Sequence, residues 1–326
     1  MTAIFDLPRI GMGCWAIGGH FHAGGTPLGW AGADDATSRA TIEAAWDAGI
    51  RLYDTAVAYG AGHSERLLGE VLSDRDAFIV TKFAPLIDEA GKEILGEDIT
   101  AEAIRASALA SRERLRRDTI DLLLCHKNSM SVDEAPAVFD TLDALVSEGV
   151  IAAYGWSTDF WDRLHVAQGR AHFAAIEHAM NIFFDAPSMC REAEAFDVAQ
   201  LIRGPLAMGL LTGKFRSGDK ISGADIRSNT MDWMDYFKDG QPSDALLAQI
   251  AAVRECLTTG GRSLTQGALC WLLAKSDRVI PIPGAKTPEQ VRENAKAMEF
   301  GPLDSAVMAE IEAILTRPAE GPPRER

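Results

Sequence analysis

Four ionisable residues stand out by type and by place: Asp54, Tyr59, Lys82 and His126. Asp54 closes the aliphatic run around RLYDT, Lys82 ends FIVTK, and His126 follows DLLLC. Tyr59 lies just beyond Asp54 on the glycine-rich segment AVAYGAGHSE. Each has an ordinary explanation alone: a turn aspartate, a solvated lysine, a core histidine, a packing tyrosine. Together they fit one job, proton transfer to a carbonyl oxygen. A phenol with a pKa near 10 is a weak acid at neutral pH. A buried ammonium beside it stabilises the phenolate and lowers that pKa. In this arrangement Tyr59 is the acid, Lys82 its tuner, Asp54 the counter-charge of Lys82, and His126 the donor that orients the carbonyl.

Those residues need elements to position them. Eight short runs read as strands: 10–14, 51–55, 78–82, 121–125, 151–157, 173–180, 199–204 and 279–283. Amphipathic segments separate them, among them 35–49 and 135–149, which both stop at glycine, and 99–116, which opens on Thr100 as a cap. Eight strands alternating with helices predict a closed (β/α)8 barrel, the alternative being a doubly wound sheet. In such a barrel strand ends at the C-terminal face carry the chemistry, and Asp54, Lys82 and His126 would share one mouth. Residues 1–315 read as a single barrel domain. The Pro-rich, charged stretch 316–326 reads as a tail that frays. Residues 216–243 hold no sustained apolar period, yet carry Trp233, Tyr236 and Phe237, and read as an ordered lid.

Composition narrows the function. The chain has 326 residues and a net charge of −15. That balance argues against a general nucleic-acid binder. No apolar run is long enough to span a membrane, and the N-terminus lacks the pattern of a secretory signal. Five scattered cysteines without a CxxC pair predict reduced thiols in a cytoplasmic protein. His20 and His22 lack partner ligands at any set spacing, so no metal site is assigned. Nothing in the sequence specifies an oligomeric state.

The motifs together resemble the aldo-keto reductase family from about Ile10 to Met298. GMGCWAIGG, LYDTAVAYGAGHSERLLGEVL, TKF, DLLLCH, VSEGVIAAYGWST, GPLAMGLLTGKF and IPGAKTPEQVREN stand in the family's order. The resemblance implies a (β/α)8 barrel with an N-terminal hairpin closing its floor and long loops on the C-terminal side. It implies NADPH as cofactor, bound across the mouth without a Rossmann domain. The family's catalytic tetrad falls on Asp54, Tyr59, Lys82 and His126. Gly13, Cys14 and Trp15 match the turn beside the nicotinamide ribose, and Ser157 matches a carboxamide contact.

The other cofactor positions follow the last two strands. Gly204, Pro205, Leu206, Gly209 and Leu211 belong to a loop whose glycines would let backbone N–H groups approach a pyrophosphate, with Lys214 adding charge. Gly284, Lys286 and Thr287 open a helix, a favourable place for a 2′-phosphate. Gln290, Glu293 and Asn294 match adenine-side positions. No acidic residue stands where it would repel that phosphate, which favours NADPH over NADH. Three positions depart from the common pattern: Glu177 replaces a carboxamide-binding Gln, Thr158 an Asn, and Arg203 an aromatic ring. A guanidinium can still lie flat on a ring. Its charge is expected to disfavour the oxidised nicotinamide, with Glu177 offsetting part of it.

Trp15, Tyr59, His126, Lys127, Trp156, Arg227 and Trp233 are the candidate substrate contacts. Aromatic faces with polar donors suit a sugar or sugar-derived aldehyde. The reading is therefore an NADPH-dependent reductase of an aldehyde or ketone, its only partner a small-molecule carbonyl substrate. Two alternatives use the same residues: a barrel lyase with Lys82 as a Schiff base, and a cofactor-binding regulatory subunit.

Overall fold

The computed structural model describes residues 4–30, 32–223, 225–229 and 234–323. Eight strands form one all-parallel sheet in sequential order. Numbering only these, β1 is Met12–Gly13, β2 Leu52–Asp54, β3 Phe78–Phe83, β4 Ile120–Cys125, β5 Ile151–Ser157, β6 Phe173–Ala179, β7 Ala199–Arg203 and β8 Val279–Pro281. The sheet closes on itself: Gly11 N–H donates to the Pro281 carbonyl at 2.9 Å and Gly13 N–H to that of Pro283 at 3.1 Å, and Gly13 bridges Gly284 in parallel. The (β/α)8 barrel is confirmed, and all eight expected strands are present.

Side chains alternate along a strand, so residues two apart share a face. Leu52, Val80, Leu122, Leu124, Ala175, Ala199, Leu201, Ile280 and Ile282 pack together as the barrel's interior. One step toward the C-terminal end of that same face come Asp54 on β2, Lys82 on β3, His126 just past β4, Ser157 on β5, Glu177 on β6 and Arg203 on β7. The residues singled out for chemistry are the polar top rung of an otherwise apolar barrel.

Helices α1 (Asp35–Asp47), α2 (His63–Leu72), α3 (Ala101–Leu115), α4 (Ala135–Ser147), α5 (Pro187–Phe196), α6 (Asp244–Thr258), α7 (Leu264–Leu273) and α8 (Pro288–Ala295) accompany the strands. Their ends follow local chemistry. Thr100 caps α3 without a reciprocal acid, and Ser263 with Gln266 makes a full capping box on α7. Gly149, one of the expected stops, adopts φ +72° after α4. Between β5 and β6 the segment Trp161–Ala167 is a 3-10 helix.

The floor differs from expectation. No hairpin closes it among the described residues. A 3-10 turn, Ile4–Asp6, does so by inserting Ile4 beneath the barrel's interior side chains. A hairpin does follow β1, but it belongs to the mouth. There Thr26–Pro27 pairs His22–Ala23, which pairs Glu93–Glu97 and then Pro85–Asp88. Of the long segment 216–243, the described part is ordered, with Asp225, Ile226 and Arg227 buried and Phe237 edge-on to Phe215. Trp233 lies outside the described residues. Beyond residue 315 the chain still makes contacts: Arg317 Nε donates to the Ile182 carbonyl at 2.8 Å, and Glu320 accepts from the Ser188 N–H.

One buried ion network braces the barrel beside the site. Thr81, the outward neighbour of Lys82, donates to Glu65 Oε1 at 2.6 Å. Arg114 Nε donates to Glu65 Oε2 at 2.6 Å and also holds Glu89 and Ser111. This ties α2 and α3 to β3. Removing one member leaves Glu65, which has no exposure, as an uncompensated buried charge. Arg114→Ala is therefore expected to cost about 3–5 kcal/mol, read as a lower urea midpoint. An unchanged midpoint would show that the network is not needed.

Candidate active site

Lys82 organises the mouth. Its Nζ lies 2.5 Å from Asp54 Oδ1, 2.9 Å from the Thr55 carbonyl and 3.1 Å from Glu177 Oε2. The side chains of Lys82, Asp54 and Glu177 are 0%, 4% and 1% exposed, so water contributes almost nothing to their solvation. The same Nζ sits 5.2 Å from the centre of the Tyr59 ring. The rings of Tyr59 and His126 meet edge to face at 6.2 Å. His126 Nδ1 is buried without a partner. Four stretches far apart in the chain thus converge, as their types suggested.

Backbone packing places Tyr59. A Cβ on Gly60 would lie 2.0 Å from the Gly18 carbonyl oxygen, and Gly60 has φ +65°. Only glycine allows that approach. Ser64 then donates to the Cys14 carbonyl and accepts from Thr55, so the Tyr59 loop is pinned to the ends of β1 and β2. Trp15 stacks on Tyr59 with centroids 6.0 Å apart, and Trp30 meets Trp15 edge-on.

The electrostatics refine the expected roles. Burial opposes the charge on Lys82, but Asp54, Glu177 and Tyr59 outweigh it and raise its pKa. Tyr59 is raised as well: burial dominates, Lys82 offsets part of it, and Asp54 and Glu177 push it further up. Lys82 therefore moderates the phenol without bringing it below its ordinary value, because burial, with the acids beside the ammonium, outweighs it. Burial, then the Lys82 and Arg203 charges, push His126 down to about 3. It is a neutral imidazole at physiological pH, suited to hydrogen bonding.

A stability consequence follows. The unfolded chain binds a proton at His126 near 6.5, whereas the folded chain resists until about 3. Stability contributed above the unfolded value is lost as pH falls through that window. His126→Asn should lose less of its melting temperature between those two pH values than the wild type. Parallel acid profiles would contradict this.

The expected cofactor residues divide into three groups. Lys214, Arg227 and Lys286 gather around Asp225. Arg227 makes a two-point ion pair with Asp225 at 2.8 Å and lies 4.6 Å from the Trp30 ring centre. Lys286 Nζ is 3.8 Å from Asp225 Oδ2 and 4.8 Å from that ring centre. Burial and the neighbouring cations lower the pKa of both Lys214 and Lys286. Three cations thus gather at one carboxylate, a donor set whose chemistry fits phosphate groups. Arg227, expected as a substrate contact, stands beside Lys286 at the same carboxylate.

A second group is built into the framework. Gly13 and Gly284 close the barrel. Cys14 is fully buried, its thiol pushed up by burial. Thr158 donates to the Asn128 carbonyl and accepts from Phe160 N–H, so its hydroxyl proton is used within a turn. The N–H groups of Gly209 and Leu211 are both donated to the Leu206 carbonyl, and Leu211 is core, which narrows the expected pyrophosphate cradle. The backbone there is strained, with Ala207 and Met208 both at positive φ, as befits a ligand-facing loop. Pro205 is buried. Thr287 caps α8 and Gln290 accepts from Lys286 N–H at 2.8 Å. Asn294 is buried, and the Glu293 carbonyl accepts from Gln266.

The third group lies beside the tetrad. Ser157 donates to Glu177 Oε1 at 3.4 Å. Arg203 pairs with Asp159, a residue the sequence reading missed. Asp159, not Glu177, is thus its main counter-charge. Asp159 also lies just past a strand end, the same signal that marked Asp54. Among the substrate candidates, Trp156 is fully buried and donates to the Lys127 carbonyl, so it is a core residue. Lys127 is tied to Glu134 at 2.7 Å. Trp15 and Trp30 each keep a buried indole N–H without a partner.

A barrel with this tetrad at its mouth defines a class of carbonyl oxidoreductase, and the comparisons agree. The family described as "Aldo/keto reductase family" matches residues 9–316. The chain belongs to that family. It is 29% identical to an NADH-specific methylglyoxal reductase of Escherichia coli (strain K12), over 97% of this chain and 98% of the relative. It is 30% identical to the aldo-keto reductase YhdN of Bacillus subtilis (strain 168), over 97% and 92%. The solved structure of a glycerol dehydrogenase from Gluconobacter oxydans superposes with a TM-score of 0.77 at 29% identity, covering 94% and 91% of the two chains.

Proposed function

We propose that this chain reduces a small hydroxylated aldehyde or ketone, such as a sugar-derived aldehyde, to the alcohol at the expense of NADPH. One observation carries the reading: a buried, carboxylate-held ammonium lies 5.2 Å from the Tyr59 ring centre, and His126 meets the same ring. A bound reduced nicotinamide would supply the hydride. Tyr59 gives its proton to the substrate oxygen, Lys82 stabilises the phenolate left behind, and neutral His126 hydrogen-bonds the same oxygen. The orphaned indole N–H groups of Trp15 and Trp30 suit hydroxyl oxygens of the substrate. Relatives named for methylglyoxal and glycerol support a short, oxygen-rich substrate. The cluster of Lys214, Arg227 and Lys286 supports the 2′-phosphate, although one relative is named NADH-specific. All five cysteines are unpaired, which supports a cytoplasmic setting. The charge on Lys82 disfavours the lyase alternative, since a Schiff base requires the neutral amine.

Two measurements test this. Tyr59→Phe should lower kcat for glyceraldehyde reduction at least about a hundredfold while NADPH still quenches tryptophan fluorescence. Near-full turnover would refute the assignment. Lys286→Ala should weaken NADPH binding about tenfold, or 1.4 kcal/mol, and leave NADH binding nearly unchanged. Equal losses for both would place Lys286 away from the 2′-phosphate.

A further inference from the structure

Two carboxylates from two strands face one ammonium. Asp54 on β2 and Glu177 on β6 lie 2.5 and 3.1 Å from Lys82 Nζ, and all three side chains are at most 4% exposed. Glu177 Oε2 has no hydrogen-bond donor of acceptable geometry. Its other oxygen accepts from Ser157 at 3.4 Å. If both carboxyls were ionised, the triad would hold a net negative charge where water is excluded, which is expensive. Two carboxyls at a shared site relieve this by keeping one proton between them.

We propose that Asp54 and Glu177 share one proton above Lys82, and that Glu177 is thereby a positioning residue that acts on Tyr59 through Lys82. The charged and titratable groups around the pair are Cys14 at the end of β1, Tyr59 beyond β2, Lys82 on β3, His126 beyond β4, and Arg203 on β7 with Asp159 behind it. Arg203 is already matched by Asp159, and His126 is neutral, so neither removes the excess negative charge. Burial and Glu177 raise the pKa of Asp54 well above the usual carboxylate range despite Lys82, in line with the geometry. While the pair holds its proton, Lys82 faces one negative charge. When the proton leaves, a second negative charge appears beneath the phenol, and Tyr59 becomes a weaker acid. An amide in place of Glu177 would remove this ionisation.

The shared proton can be read on the cofactor-free protein and does not depend on any activity. Infrared difference spectra at neutral pH, wild type minus Glu177→Gln and wild type minus Asp54→Asn, should each contain the C=O stretch of a protonated carboxyl. In either variant the surviving carboxylate pairs with Lys82 and the band vanishes. Subtraction removes other shielded acids such as the half-buried Asp121. Difference spectra without that band would show both carboxyls ionised and overturn the proposal. The link to turnover rests on the reductase reading. There, the alkaline limb of kcat/KM for aldehyde reduction should move up by about one unit or more in Glu177→Gln. An unmoved limb would overturn the coupling to Tyr59. Loss of turnover in Tyr59→Phe, tested separately, would leave the reductase reading standing either way.

Discussion

A lysine ammonium with no access to water must find acceptors within the protein, and Lys82 imposes that requirement on everything near it. It takes Asp54, Glu177 and the Thr55 carbonyl. These come from β2 and β6, which are not neighbours in the sheet, so the charge is held only if the barrel has closed. The interaction is also directional. Lys82 lies on the inward face of β3, whereas Thr81 points outward to Glu65 and Arg114. A one-residue shift in the register of β3 would exchange the two faces.

The same condition explains how an ordinary set of acids and bases becomes selective. In water the phenol, amine, carboxyl and imidazole would titrate near their usual values. In the mouth they separate. The amine keeps its proton, the imidazole stays neutral, and the phenol holds its proton well into alkaline pH. That distribution suits donation of a proton to a substrate oxygen. The cations Lys214, Arg227 and Lys286 gather apart from the tetrad, around Asp225 and Trp30.

Most of this was legible in the sequence because period-two alternation and strand-end position are local signals. They identified all eight strands and the strand-end positions of Asp54, Lys82 and His126. What escaped was set by tertiary packing. The floor turn depends on Ile4 joining an apolar cluster whose other members come from six strands. The mouth sheet is drawn from PLIDEAGKEILGE, a polar stretch that shows little apolar alternation. Trp156 resembled a mouth residue, but its indole N–H turns to the Lys127 carbonyl. Thr158 and Leu211 sit on segments of the expected kind, where the Thr158 hydroxyl and the Leu211 N–H donate within their own neighbourhoods. Asp159 could have been noticed by the strand-end rule, but its pairing with Arg203 is a matter of three-dimensional placement.

The claim at the centre is that hydride and proton meet at the spot where Tyr59, Lys82 and His126 converge. Following deuterium from C4-labelled NADPH into glyceraldehyde in ordinary water tests it most directly. The account predicts that the label arrives on the former carbonyl carbon of the product and does not exchange with solvent. Product formed without the label, or label released to water, would contradict it.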